Sequence, residues 1–190
     1  PVELAGATVR KATLNNYGDI QKKRVKIGGR VLIRRSNEVI PEILGALGDE
    51  GKEVEKITVC PYCKTPVVEV GANLFCPNED CCPRVLAKLA NFACKDGMNI
   101  DGFSEKTAGV LYDEIGVENF SELYTLDREK LVALDGFQDK KADNLLSAIE
   151  KSKNVALPNF IFALGIDGVG KKTAKDLAKK LKTLGGIAVS

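Results

Sequence analysis

The spacing of apolar residues changes character twice along the chain. From Val2 to Leu14 apolar and polar residues alternate, as in a half-buried strand. A Gly28-Gly29 turn precedes Arg30-Val31-Leu32-Ile33-Arg34-Arg35, a second strand, and Glu38 to Leu47 stays apolar, with Pro41 marking an edge or a bend. Short strands separated by glycine turns predict a small β-barrel over residues 1–57. Residues 58–83 carry few apolar side chains and most of the cysteines. From Pro83 onward the period becomes helical. Val85, Leu86, Leu89 and Phe92 share one face, as do Ala108, Leu111 and Tyr112, and later Leu145, Leu146 and Ile149. Pro158 breaks the chain before a helix over Phe160 to Leu164, and Ala174, Leu177, Ala178 and Leu181 form the last stripe. The expected fold is multidomain α+β: barrel (1–57), cysteine module (58–83) and an array of short helices (84–190).

Within the helical region a single pattern occurs three times. Ile100-Asp101-Gly102-Phe103 leads to Glu105-Lys106-Thr107-Ala108 and Leu111. Leu134-Asp135-Gly136-Phe137 leads to Asp139-Lys140-Lys141-Ala142 and Leu145. Ile166-Asp167-Gly168-Val169 leads to Lys171-Lys172-Thr173-Ala174 and Leu177. The aligned glycines lie 34 and 32 residues apart, the period of one small helical hairpin. A tight turn running into a helix start presents unpaired backbone N–H groups with the positive helix end behind them, which suits a phosphate. A single Asp-Gly turn can merely connect helices; three with matching Lys, Ala and Leu columns predict repeated contact with a phosphate backbone. The predicted contacts are Gly102, Lys106, Gly136, Lys140, Gly168, Gly170, Lys171 and Lys172.

Charge strengthens this reading. The net formal charge is only +2, but Arg10 to Arg35 holds nine basic residues against Asp19, and Lys171 to Lys182 holds six lysines against Asp176. Basic clusters in a near-neutral chain imply a polyanionic partner met at defined places, and add Lys11, Arg34 and Arg35 as candidates. No apolar run is long enough to span a bilayer, so no membrane partner is expected, and there is no signal-peptide pattern. Pro1 is an unusual first residue, so the chain reads as a piece of a longer protein.

Cys60-Pro61-Tyr62-Cys63 is followed by 12 residues, Cys76, four more residues and Cys81. Two such pairs can converge on one tetrahedral ion, and four thiolates favour zinc. A closed set of thiolates makes the ion structural, with no place for a water. One Zn2+ per chain, held by Cys60, Cys63, Cys76 and Cys81, is expected. Cys82 is an adjacent alternative to Cys81. Metal-ligand spacing argues against a disulfide framework and for a reducing, cytoplasmic setting.

Several strings together resemble the bacterial NAD-dependent DNA ligases. Pro1-Val2-Glu3-Leu4-Ala5-Gly6 with Ala12-Thr13-Leu14-Asn15-Asn16 resembles the start of their OB-fold domain. Arg35 with Glu38-Val39-Ile40-Pro41 resembles the segment by which that domain touches nicked DNA, which adds Val39 and Ile40 to the expected contacts. Cys76-Pro77-Asn78-Glu79-Asp80-Cys81 is similar to the second half of their zinc site and supports Cys81. Phe92-Ala93 with Met98-Asn99-Ile100-Asp101-Gly102 resembles the first helix-hairpin-helix, and Ala163-Leu164-Gly165-Ile166 with Val169-Gly170 the third. There are departures: Asn15 and Asn91 stand where the family has His, and Cys82 where it has Pro. Ser104 and Gln138 replace the second hairpin glycine, kept only as Gly170. Because Ser and Gln resist positive φ, the first two hairpins are expected to hold phosphate less closely, or to serve packing.

The resemblance implies an OB-type barrel, a four-cysteine zinc finger and helix-hairpin-helix motifs, with a fourth hairpin and a BRCT domain beyond Ser190. It implies partners in nicked double-stranded DNA and in the adenylation domain of the same parent chain, and a bacterial, nucleoid-associated location. The parent activity would be DNA ligase (NAD+), with NAD and Mg2+ entering only through the adenylation domain. That domain's nucleophile lies in a Lys-x-Asp-Gly motif. Here the four Asp-Gly pairs are preceded at that place by Cys94, Asn99, Ala133 and Gly165, never Lys. No catalytic residue is expected, and the chain alone should be inactive. The alternatives are a zinc and hairpin module of another repair protein or nuclease, and a zinc-ribbon adaptor, which would leave the three hairpins unexplained.

Overall fold

The computed structural model describes residues 1–4, 6–36 and 40–183. It divides into two compact units, Pro1–Asn78 and Glu79–Ser190. The architecture is mixed α+β, with the strands in the first unit and all but one of the described α-helices in the second.

In the first unit the strands pair in twos. β1 (Val2–Leu4) runs antiparallel to β2 (Ala7–Val9), and β3 (Arg30–Ser36) to β4 (Ile40–Leu47), with an irregularity between Leu32 and Ile33. Single bridges add Thr13 to Glu42 and Ile27 to Lys52. Among the described residues, Val9, Val25 and Ile43 are its buried aliphatic side chains. One element departs from the strand-only expectation: α1 (Tyr17–Lys22). The Asn16 side chain accepts from the Asp19 N–H at 2.9 Å, and Asp19 stands in the first turn, so a cap and a favourable dipole charge start this short helix. No apolar periodicity advertises it. β5 (Val68–Val70) and β6 (Asn73–Phe75) form a third two-stranded ladder.

The second unit is built on helix faces. α2 (Cys82–Ala93) buries Val85, Leu89, Phe92 and Ala93; α3 (Glu105–Ile115) buries Thr107, Ala108 and Leu111. A 3-10 turn (Ser121–Thr125) and α4 (Arg128–Val132) add Leu123 and Leu131. α5 (Asp139–Ser152) buries Ala142, Leu145, Ala148 and Ile149. Phe92 stacks on Phe120 with centroids 4.3 Å apart and meets Tyr124 edge-on. The buried Ser152 hydroxyl is satisfied, donating to the Ile149 carbonyl at 2.7 Å and meeting the Tyr124 hydroxyl at 3.0 Å. α6 (Leu157–Ala163) takes Pro158 into its first turn, whereas the sequence pattern starts that helix after it. The proline lacks only an N–H that has no helical partner there, so it starts the helix. α7 (Lys171–Leu181) buries Ala174.

Candidate nucleic-acid interface and metal centre

The four sulfurs of Cys60, Cys63, Cys76 and Cys81 lie within 4.8 Å of one another. Ligands of a tetrahedral zinc with 2.3 Å bonds would be about 3.8 Å apart, so this donor set fits such an ion. Local structure makes the arrangement. The Cys60 N–H donates to the Thr65 carbonyl at 2.8 Å and the Lys64 N–H to the Cys60 carbonyl at 3.0 Å, folding a tight knuckle in which Lys64 takes φ +61°. Cys81 caps α2, its carbonyl accepting from Arg84 and Val85. The next residue, Cys82, lies in the helix and outside the sulfur group. Hydrogen bonds with Thr65, side chain first and then backbone, lower the Cys63 thiol to about 5. That favours thiolate, the form that binds metal.

The three hairpin turns are near-copies. The carbonyls of Ile100, Leu134 and Ile166 accept from the N–H groups of Phe103, Phe137 and Val169, at 3.2, 3.0 and 2.9 Å. Gly102, Gly136 and Gly168 sit at φ +76°, +73° and +77°. A β-turn with positive φ at its third residue selects glycine for the backbone alone; a Cβ there would meet nothing within 4 Å. The second glycine column behaves otherwise. Gly170 has φ −81° and Gln138 φ −82°, while Ser104 has φ −131°. None needs the left-handed region, so the expectation that Ser104 and Gln138 weaken their hairpins loses its physical reason. Each is the N-cap of its helix. The Ser104 hydroxyl accepts from the Thr107 N–H at 3.2 Å, and the other two make no side-chain cap bond.

The helix starts sort the charges by column. The first residues are Glu105, Asp139 and Lys171; the second are lysine in all three, Lys106, Lys140 and Lys172, all exposed. Gly102, Gly136 and Lys140 line an open groove of about 440 Å³ with Asp101, Phe137 and Asn144. Lys141, one residue on, instead lies over the Phe137 ring at 3.8 Å. Three ion pairs have no sequence signal, their partners being remote in the chain. Arg128 donates to Asp139 at 2.8 Å and to Asp143 at 2.7 Å, and Lys171 pairs with Asp96.

In the first unit Lys11 is exposed, and Arg34 pairs with Glu42 at 3.3 Å. Arg35 stands opposite Pro41 in the ladder and Ile40 opposite Ser36. Val39 lies outside the described residues. Lys23 pairs with Asp19 of the same run at 2.8 Å, and the fold brings acids from further along to Lys26, Asp49 at 2.6 Å and Glu53 at 3.1 Å. Asp49 is held below the usual carboxylate range by Lys26. Among the described residues, no helix is long and apolar enough to cross a membrane.

Residues 1–55 match the NAD-dependent DNA ligase OB-fold domain, and residues 95–151 a SAM-like helix-hairpin-helix tandem. The chain is thus similar in sequence to a segment of NAD-dependent DNA ligases. DNA ligase 2 and DNA ligase 1 of Clostridium acetobutylicum are each 50% identical to it over 191 residues, and DNA ligase of Finegoldia magna 46%. These alignments cover 98% of this chain, which spans 29% of the length of each relative.

Proposed function

We propose that this chain is the DNA-holding, non-catalytic portion of an NAD-dependent DNA ligase that seals nicks in duplex DNA during replication and repair. The observation that carries the reading is the threefold turn with a lysine at the second helix position each time. Such turns offer backbone N–H groups and a cation to phosphate oxygens, which carry no base sequence. A nick sealer needs that indifference, because nicks arise anywhere. Gly102, Lys106, Gly136, Lys140, Gly168, Gly170 and Lys172 would face phosphates. Lys11, Arg34, Arg35, Val39 and Ile40 would meet the duplex at the nick, in the minor groove. Cys60, Cys63, Cys76 and Cys81 would hold one structural Zn2+. NAD and Mg2+ would act through the adenylation domain of the same parent chain, so this portion is inactive alone. Its working place would be the bacterial cytoplasm, on the nucleoid.

Fluorescence anisotropy with nicked and continuous duplexes of one sequence, at several salt concentrations, tests this. Expected is binding whose log K falls linearly with log salt, by about 0.9 for each phosphate neutralised, with tighter binding to the nicked duplex. No binding at low salt would sink the reading. Salt-sensitive binding with no preference for the nick would leave only a general duplex grip.

A further inference from the structure

The three hairpins differ at the first residue of the helix behind the turn. Glu105 and Asp139 place a carboxylate where the positive end of the helix dipole favours one. Lys171 places a cation there, and the first turn of α7 contains no acid. That is the unfavourable arrangement, and the fold answers it from a distance. Asp96, in the connection between α2 and α3, directs its carboxylate to the Lys171 ammonium. It does so in a small cleft of about 200 Å³ lined also by Pro158, Asn159, Phe162 and Lys175.

Asp96 is held by more than its ion pair. Its carbonyl accepts from the Asn159 side-chain amide at 2.9 Å. The adjoining Gly97 is pinned: a Cβ there would stand 2.6 Å from the Phe92 carbonyl oxygen, 2.9 Å from that of Asn91 and 3.2 Å from the Ala163 methyl. Glycine at 97 is therefore a condition for bringing residue 96 this close to α6 and α7.

We propose that Asp96 is a built-in counter-anion for the third hairpin. It stands in space for the acidic residue that the other two hairpins carry at the first helix position. It withholds Lys171 from phosphate, so that the cationic contact is made by Lys172, in register with Lys106 and Lys140. Lys171 is then a positioning residue and Asp96 sets how many cations the hairpin presents. The inference rests on the phosphate-binding reading above.

The experiment is the salt dependence of duplex binding by the chain carrying Lys172→Gln, Lys171→Gln or Asp96→Asn, with thermal denaturation of each. Removing one phosphate contact lowers the log K against log salt slope by about 0.9. Lys172→Gln should show that loss and Lys171→Gln should leave the slope unchanged. Asp96→Asn, by freeing Lys171, should steepen the slope by up to about the same amount. Equal losses for Lys171→Gln and Lys172→Gln would overturn the inference. So would Asp96→Asn lowering the melting temperature with no change in slope, the mark of a purely structural pair. Absence of salt-dependent binding by the unsubstituted chain would overturn the phosphate-binding reading as well, which separates the two failures.

Discussion

The two units solve the same problem by different means. Among the described residues, eleven of the twelve large apolar side chains left exposed belong to the first unit, and only Ile166 to the second. Leu89, Leu111, Leu123 and Leu131, all in the second unit, are fully buried, and its aromatic rings stack inside. The first unit has paired strands and little core. A lone two-stranded ladder is marginal in water, so residues 58–78 need something other than packing to hold them. A metal held by the cysteine cluster would supply it, because a metal bound only by the folded form adds its binding energy to folding. Self-sufficiency in one unit and dependence in the other is the contrast to test.

Its strongest test is metal removal. Extraction with a chelator, or Cys60→Ser, should abolish amide hydrogen-exchange protection around residues 58–78 and lose one equivalent of zinc by elemental analysis. Zinc-dependent modules owe of order 10 kcal/mol to the ion. Protection in α2, α3 and α5 should persist; collapse of both units together would break the contrast. Next comes core truncation. Leu111→Ala should cost about 2–5 kcal/mol in denaturant unfolding, whereas Ile43→Val in the first unit should cost about 1 kcal/mol. Comparable losses would mean that the first unit's small core matters more than its exposure suggests. The smallest effect concerns the caps. Ser104→Ala should destabilise by about 1 kcal/mol, and Gln138→Ala, which removes no cap bond, by much less. Equal effects in thermal unfolding would deny the capping role of Ser104.

The sequence made some of this legible because it concerns neighbours in the chain. The cysteine spacing, the repeated turn and the helical stripes through Leu89, Leu111 and Leu145 are local patterns, and the structure realises them. What it hid depends on remote partners or on backbone angles. The run from Arg10 to Arg35 reads as almost unopposed charge, yet Glu42, Asp49 and Glu53 lie against it after folding. Lys171 reads like its neighbour Lys172 until Asp96 is placed beside it. The glycine pair in the third hairpin suggests two left-handed residues, but only Gly168 is one; Gly170 has the φ of an ordinary residue. A glycine records permission for a conformation, not its use.

The turn glycines also make the molecule a measuring device. At residues 102, 136 and 168 the φ values agree within four degrees, and no atom stands where a methyl group would go. Replacing each in turn by alanine therefore repeats one experiment three times in one chain, with steric clash removed and only the backbone penalty left, about 1–2 kcal/mol. Agreement among the three would give a left-handed alanine's cost with internal replicates. A spread would report how far each surrounding hairpin relaxes.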